Sequence, residues 1–162
     1  MKRFGFVMVG VLILLSFQPV IHGLTSNMQT EEEVYQFLQQ AMEAQNSLHD
    51  EYRAKEDVAQ LLEPYFTSEF ADLFMERHVF EFDQGWIALG TDVMDYYIPN
   101  FDYGDQTVMR QNEEEVLVYH FVRAESFGPV TWPDHYESIT LQKGEDGLKV
   151  MTYEITKEEP TL

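Results

Sequence analysis

"HYESITLQKGEDGLKVMTYEIT", residues 135–156, is a pair of strand-like runs around a polar turn bracketed by glycines. "HYESITLQ" and "LKVMTYEIT" are rich in β-branched and aromatic residues, and Gly144 to Gly147 supply the turn. Successive strand side chains point to opposite faces, so His135 and Glu137 share a face with Ile139 and Leu141. That apolar face is expected to meet the core. Upstream, "TVMRQ" (107–111) and "EVLVYHFVRA" (115–124) read as a second antiparallel pair joined near Asn112. There His120 shares a face with Val116, Val118 and Val122.

Further upstream the period changes to that of helices. Thr30 followed by Glu33 makes a capping box, and Val34, Phe37, Leu38, Ala41, Gln45 and Leu48 then fall on one helical stripe. Glu31, Glu32 and Glu33 occupy the first turn, where the helix dipole favours anions, so this acidic run needs no ligand. A second helix is expected over 56–62 with Val58, Leu61 and Leu62 inward, stopped by Pro64. Thr67 or Ser68 caps a third, with Phe70, Leu73 and Phe74 on its inner face. "VFEFDQGWIAL" (79–89) reads as two short strands about a turn at Asp83 to Gly85. Helices first and strands after predict an α+β domain, N-terminal helices packed on a curved antiparallel sheet. A nuclear-transport-factor-like or cystatin-like cone is such an architecture, and as an analogy it carries no function.

The first residues read as an address. Lys2 and Arg3 precede an uncharged apolar run, Phe4 to Phe17, and "QPVIHG" follows with Ile21 and Gly23 suited to a signal-peptidase site. Residues 1–23 are therefore expected to be a secretory signal peptide, and 24–162 a single domain. The competing reading is a retained anchor, against which the shortness of the run argues. The chain has no cysteine, which excludes disulfides, thiolate metal sites, a cysteine nucleophile and lipidation at cysteine. Its formal charge is −19, and loss of Lys2 and Arg3 with the leader brings it to about −21. Such a surface repels nucleic acid and anionic lipid and favours cations and basic proteins. It also serves solubility alone. The expected setting is secreted or extracellular, with no membrane contact after cleavage and a basic extracellular or wall-associated protein as partner.

Candidate chemistry is sparse. A glycine-rich phosphate loop, a G-x-S-x-G elbow and H-E-x-x-H are all missing. Among 29 acidic residues a pair at glycosidase spacing arises by chance, so paired carboxylates carry no weight. In residues 90–108 Asp92, Asp95, Asp102 and Asp105 offer oxygens for a weak calcium site, but the dense alternation of a calcium loop is lacking. The competing reading is that Thr91, Asp92 and Asp102 cap and turn their own backbone. If the faces of the two strand pairs coincide, His120, His135 and Glu137 meet, either as a zinc site or as an acid–base group. The competing reading is core histidines with ordinary hydrogen bonds. Tyr96, Tyr97, Phe101, Tyr103, Phe127, Trp132 and Tyr136 fall in expected loops or strand ends stiffened by Pro99, Pro129 and Pro133. They form an aromatic binding rim or fold over the end of the core.

"EVYQFLQQAMEAQ", "LLEPYFTSEF", "GTDVMDYYIPNF" and "HYESITL" resemble a family of small exported proteins of unknown function from Gram-positive spore-forming bacteria. The likeness runs from about Glu33 to Ile155. It implies an extracytoplasmic single domain and supplies no activity, so no catalytic residue is carried over. The expectation is a non-catalytic binding protein without a required cofactor, with Tyr96, Tyr97, His120, Trp132, His135, Tyr136 and Glu137 as candidate ligand-binding residues. The alternative is a cone-type pocket, small-ligand-binding or enzymatic, using His120, His135 and Glu137.

Overall fold

A computed structural model describes residues 28–90, 95–126 and 131–162. The expected leader, Thr91, Asp92, Phe127 and Pro129 lie outside the described residues. The elements run α1 (Glu31–Ser47), α2 (Lys55–Leu62), α3 (Ser68–His78), β1 (Val79–Phe82), β2 (Gly85–Ala88), β3 (Thr107–Gln111), β4 (Glu115–Val122), β5 (His135–Gly144) and β6 (Gly147–Thr156). This is an α+β fold, with its helices ahead of antiparallel strands.

The helix starts follow from capping. Thr30 accepts from the Glu33 amide while the Glu33 carboxylate accepts from the Thr30 amide, the reciprocal capping box. Thr67 caps α3 by accepting from the Phe70 amide. The inward stripe of α1 is buried at Val34, Leu38, Ala41, Gln45 and Leu48, with Phe37 partly so. On α3 the structure corrects one expectation. Phe70 and Phe74 are buried, but Leu73 is exposed and the third inward position belongs to His78. Positions 70, 74 and 78 are spaced by four and form one row, from which 73 is rotated away.

β3-β4-β5-β6 form one antiparallel sheet. Its inner face, with Val116, Val118, Ile139, Leu141 and Val150, packs on Leu38, Val58, Leu62, Phe66, Phe70 and Phe74 from the helical half. A register shift between Thr140 and Leu141 makes Thr140 pair with Thr152 but Leu141 with Val150. The extra residue on β6 is a bulge, which bends the strand and adds twist. It also resets the alternation, so Val150 and Tyr153 both face the helices' side, opposite Leu141 and Ile139. β1 and β2 stay apart as a two-stranded sheet. Arg53 exchanges both backbone hydrogen bonds with Trp86, at 2.9 and 2.8 Å, and ties that hairpin to the α1–α2 link.

The outer face of β4 is covered as well. Leu117 and Tyr119 are buried. Arg110 reaches Glu159 of the C-terminal segment at 2.6 Å, and the Tyr119 hydroxyl donates to the same carboxylate.

Candidate functional site

The register of β4 against β5 sets His120 opposite Glu137 and Val122 opposite His135. The faces read separately from the two strands are therefore one face. His120 Nε2 donates to Glu137 Oε2 at 3.1 Å. His135 Nε2 lies 3.6 Å from the other oxygen, Oε1, an ion-pair distance but too long for a hydrogen bond. His135 Nδ1 is 2.7 Å from the Pro133 carbonyl. A carbonyl only accepts, so Nδ1 carries the proton and Nε2 is the nitrogen left to face Glu137. The hydrogen bond from His120, joined by smaller contributions from His135, holds the Glu137 carboxyl below the usual carboxylate range against the opposing effect of burial. Glu137 is thus a fixed negative charge on the inner face, with its side chain a quarter exposed.

This group sits at a cleft of about 590 Å³. Val122, Trp132 and Pro133 form one side, and Tyr153, Ile155 and Thr156 of β6 another. His135 and Glu137 line it, and Asp95 and Lys157 add charges. A volume of this size suits a small organic molecule. Burial, with Glu137 and Asp95 nearby, pushes the Tyr153 phenol well above its ordinary value, so it stays protonated and able to donate. A second cleft of about 310 Å³, with Met42, Asn46, Tyr97 and Pro99 in its walls, shares Glu137 and Tyr153 with the first.

The connector from Asp95 to Gln106 is clasped from beneath by polar groups of the helices. Gln45, fully buried on α1, donates to the Tyr96 carbonyl at 2.7 Å and accepts from the Ile98 amide at 2.9 Å. His78 Nε2 donates to the Asp95 carbonyl at 2.5 Å. Burial lowers the His78 pKa, so the ring is neutral. His49 donates from Nδ1 to the Ala88 carbonyl at 3.0 Å and accepts from the Tyr97 hydroxyl at 3.1 Å. Tyr96 holds a left-handed φ of 65°, uncommon for a residue with a Cβ. This clasp aims Asp95 at the larger cleft and Tyr97 at the smaller one.

The expected site residues therefore divide. His120, His135 and Glu137 come together, and Trp132 stands at the cleft beside the last two. The Trp132 indole donates to the Arg123 carbonyl at 3.0 Å, which fixes the ring at the end of the β4–β5 loop. Tyr96 packs on Phe70 and Tyr153, with ring centroids 5.8 and 6.5 Å away, and supports the cleft from behind. Tyr97 and Phe101 are buried rather than standing as a rim, Tyr97 in the wall of the smaller cleft. Tyr136 lies on the other face of the sheet, against Tyr119 and Phe121. Val122, Tyr153, Ile155 and Lys157 were not among the sequence candidates; alternation along β4 already put Val122 on the His120 face, whereas the facing of Tyr153 and Ile155 depends on the bulge in β6, a register shift that no residue type announces.

The two imidazoles meet different oxygens of one carboxylate, and among the described residues no group of three or more ligating side chains is arranged for a metal ion. For the aspartates, the turn reading fits Asp102. Its Oδ1 accepts from the Thr107 hydroxyl at 2.6 Å and the Gly104 amide at 3.0 Å, and these bonds lower its pKa. Asp95 lies 3.6 Å from Arg77.

A family model described as protein of unknown function (DUF3993) matches residues 30–122. That span takes in the three helices, β1 to β4 and His120, and ends before His135 and Glu137. No curated protein and no solved structure matches the chain. With more than half of its 162 residues matched, the chain belongs to the DUF3993 family of proteins of unknown function.

Proposed function

We propose that the protein is a non-catalytic binding protein of the extracellular space or cell envelope, and that the larger cleft is its binding site. The observation that carries this is the meeting of His120, His135 and Glu137 beside a cleft with Trp132, Tyr153 and Ile155 in its walls. Binding is favoured over catalysis by the state of Glu137. A carboxyl held below its ordinary range is a weak base and a rarely protonated acid at neutral pH, whereas proton transfer wants a group poised near working pH. It serves better as a fixed charge. The extracytoplasmic setting rests on the leader-like residues 1–23, and a basic partner is favoured by the formal charge of −19. A cone of the nuclear-transport-factor type is the finer fold reading that goes with a cleft at the end of a curved sheet.

The test is a titration of the isotope-labelled protein with a fragment mixture, followed by amide and side-chain NMR shifts. Fragments are expected to move Val122, Trp132, Tyr153 and Ile155 together. Ile155 is half exposed, so Ile155→Trp fills the cleft without disturbing the core and abolishes the response. Shifts scattered away from these residues, or unchanged in Ile155→Trp, would sink the proposal.

A further inference from the structure

We infer that the open edge of β1 is a docking surface for an extended segment of a basic protein, one in which a basic residue stands between two apolar ones. This edge shares no residue with the larger cleft and does not depend on what that cleft binds. Backbone pairing decides which groups are open. Arg53 takes both the amide and the carbonyl of Trp86, which therefore point away from β1. Glu81 is the register partner of Trp86, so the two form the non-hydrogen-bonded kind of antiparallel pair. The Glu81 amide and carbonyl then point to the outer edge of β1, where no other strand pairs among the described residues. The Val79 carbonyl points the same way, while the Val79 amide donates to the Met75 carbonyl. Arg53 thus closes the β2 side of the hairpin, and the β1 side presents unpaired main chain.

The side chains define the occupant. An antiparallel strand docked on Glu81 sets one residue directly opposite it, and its two flanking residues lie beside Phe80 and Phe82 on the other face. Phe80 and Phe82 are both exposed, and Tyr52, exposed as well, brings its ring centroid 6.0 Å from that of Phe82. Apolar flanking residues would cover these rings. Val79 and Trp86 share the face of Glu81, and a groove of about 310 Å³ beside them has Lys55 and, from α3, Asp72 and Glu76 in its walls. With Glu81 that side of the hairpin holds three carboxylates against one ammonium, so a lysine or arginine fits opposite Glu81. A second copy of the chain fits badly. Centred on Glu81, it would set two carboxylates directly opposite each other, and each copy carries a formal charge of −19. In such strand addition the main-chain bonds give affinity and the alternating side chains give selectivity.

The experiment titrates the intact, isotope-labelled chain with short capped peptides and follows amide NMR shifts and hydrogen exchange. The probes are a peptide alternating valine and lysine, the same peptide with glutamate in place of lysine, and the valine–lysine peptide with its lysine amides N-methylated. The valine–lysine peptide is expected to shift Phe80, Glu81 and Phe82 and to slow exchange of the Glu81 amide. The methylated peptide keeps the charge and the side chains but cannot donate to the Glu81 carbonyl, so it should bind at least about tenfold more weakly; this arm needs no variant. The glutamate peptide should bind least. Glu81→Lys, at an exposed position, should shrink the preference for lysine over glutamate by roughly fivefold or more. Equal binding of the methylated and unmethylated peptides would reduce the interaction to net charge and overturn the strand addition. Shifts at Val122, Trp132 and Ile155 in place of β1 would put the peptide in the larger cleft, and no response at Glu81 to any peptide would leave the edge without an occupant; either result overturns the inference. Protection of the Glu81 amide that grows with protein concentration, with no peptide present, would make the occupant a second copy and overturn the basic partner.

Discussion

Gln45→Leu is the substitution that most directly tests how the connector is held. Gln45 is fully buried, and both ends of its amide are committed to connector backbone, the Tyr96 carbonyl and the Ile98 amide. Leucine keeps much of the volume and removes both partners. Each buried backbone group left unpaired costs about 1–3 kcal/mol, so the loss is about 2–6 kcal/mol before compensation. Two effects offset it. Burying an apolar group in place of an amide returns about 1 kcal/mol. The left-handed backbone of Tyr96, once released, gives back part of the roughly 1–3 kcal/mol stored in such a conformation. A net loss of about 2–4 kcal/mol is expected by urea denaturation, which for a domain of this size lowers Tm by roughly 5–15 °C. Gln40→Leu, on the exposed side of the same helix, is the control and should stay within about 0.5 kcal/mol. Hydrogen exchange adds a local reading, because the Ile98 amide should lose its protection in Gln45→Leu. A loss below about 1 kcal/mol with Ile98 still protected would mean that the clasp does not hold the connector.

Three further outcomes are expected. His78 is held neutral by burial, so the unfolded chain binds a proton that the folded chain refuses; stability should fall as pH drops below the ordinary imidazole value of 6.5, by up to about 1.4 kcal/mol per pH unit, and His78→Gln should flatten that slope in urea melts. Glu137 works in the opposite sense: its lowered pKa contributes stability above the ordinary 4.5 that is lost as pH falls through the folded value, so Glu137→Gln should remove one step of the acid limb in a melt series between about pH 5 and 2. Gly85 has φ +128° and an added Cβ would lie 2.7 Å from the Arg53 carbonyl oxygen, whereas Gly147, at φ +107°, has open space; Gly85→Ala should cost more than about 2 kcal/mol and Gly147→Ala about 1, and equal losses in chemical denaturation would refute the role given to that close approach.

How much of this was legible depends on whether a signal is local. The capping box at Thr30 and Glu33, the cap at Thr67 and the glycine-bracketed turn of β5–β6 are contained in a few neighbouring residues, and each forms where expected. Gln45 gave its signal by standing on an otherwise apolar stripe, a polar residue on the buried side of a helix that must find partners. What it would bond could not be read, because those partners are 51 and 53 residues further along. Hydrophobicity points Leu73 inward and polarity points His78 outward, yet the row spaced by four buries His78 and leaves Leu73 exposed. Tyr97 and Phe101 sit between elements, where an exposed rim is expected, yet a connector tied down by buried amide and imidazole groups becomes part of the core.

The site turned on a relation between strands. Alternation along β4 and along β5 put His120 on one face and His135 with Glu137 on another, and only pairing His120 with Glu137 joins the two. A slip of one residue would have sent His120 to the opposite side of the sheet from Glu137. The bulge in β6 has the same standing. Without it, strict alternation from the buried Val150 carries Thr152 and Glu154 inward and turns Tyr153 and Ile155 away; with it, Tyr153 opposes Ile139 and Ile155 opposes Glu137. One inserted residue therefore decides whether the wall of the cleft presents a phenol and an apolar side chain or a hydroxyl and a carboxylate. In the second arrangement Glu154 would face Glu137 across the pair, and like charges directly opposite destabilise a sheet. Charge repulsion and the burial of Tyr153 thus favour the same register, and the feature that shapes the cleft is also the one that keeps β6 from setting two carboxylates against each other.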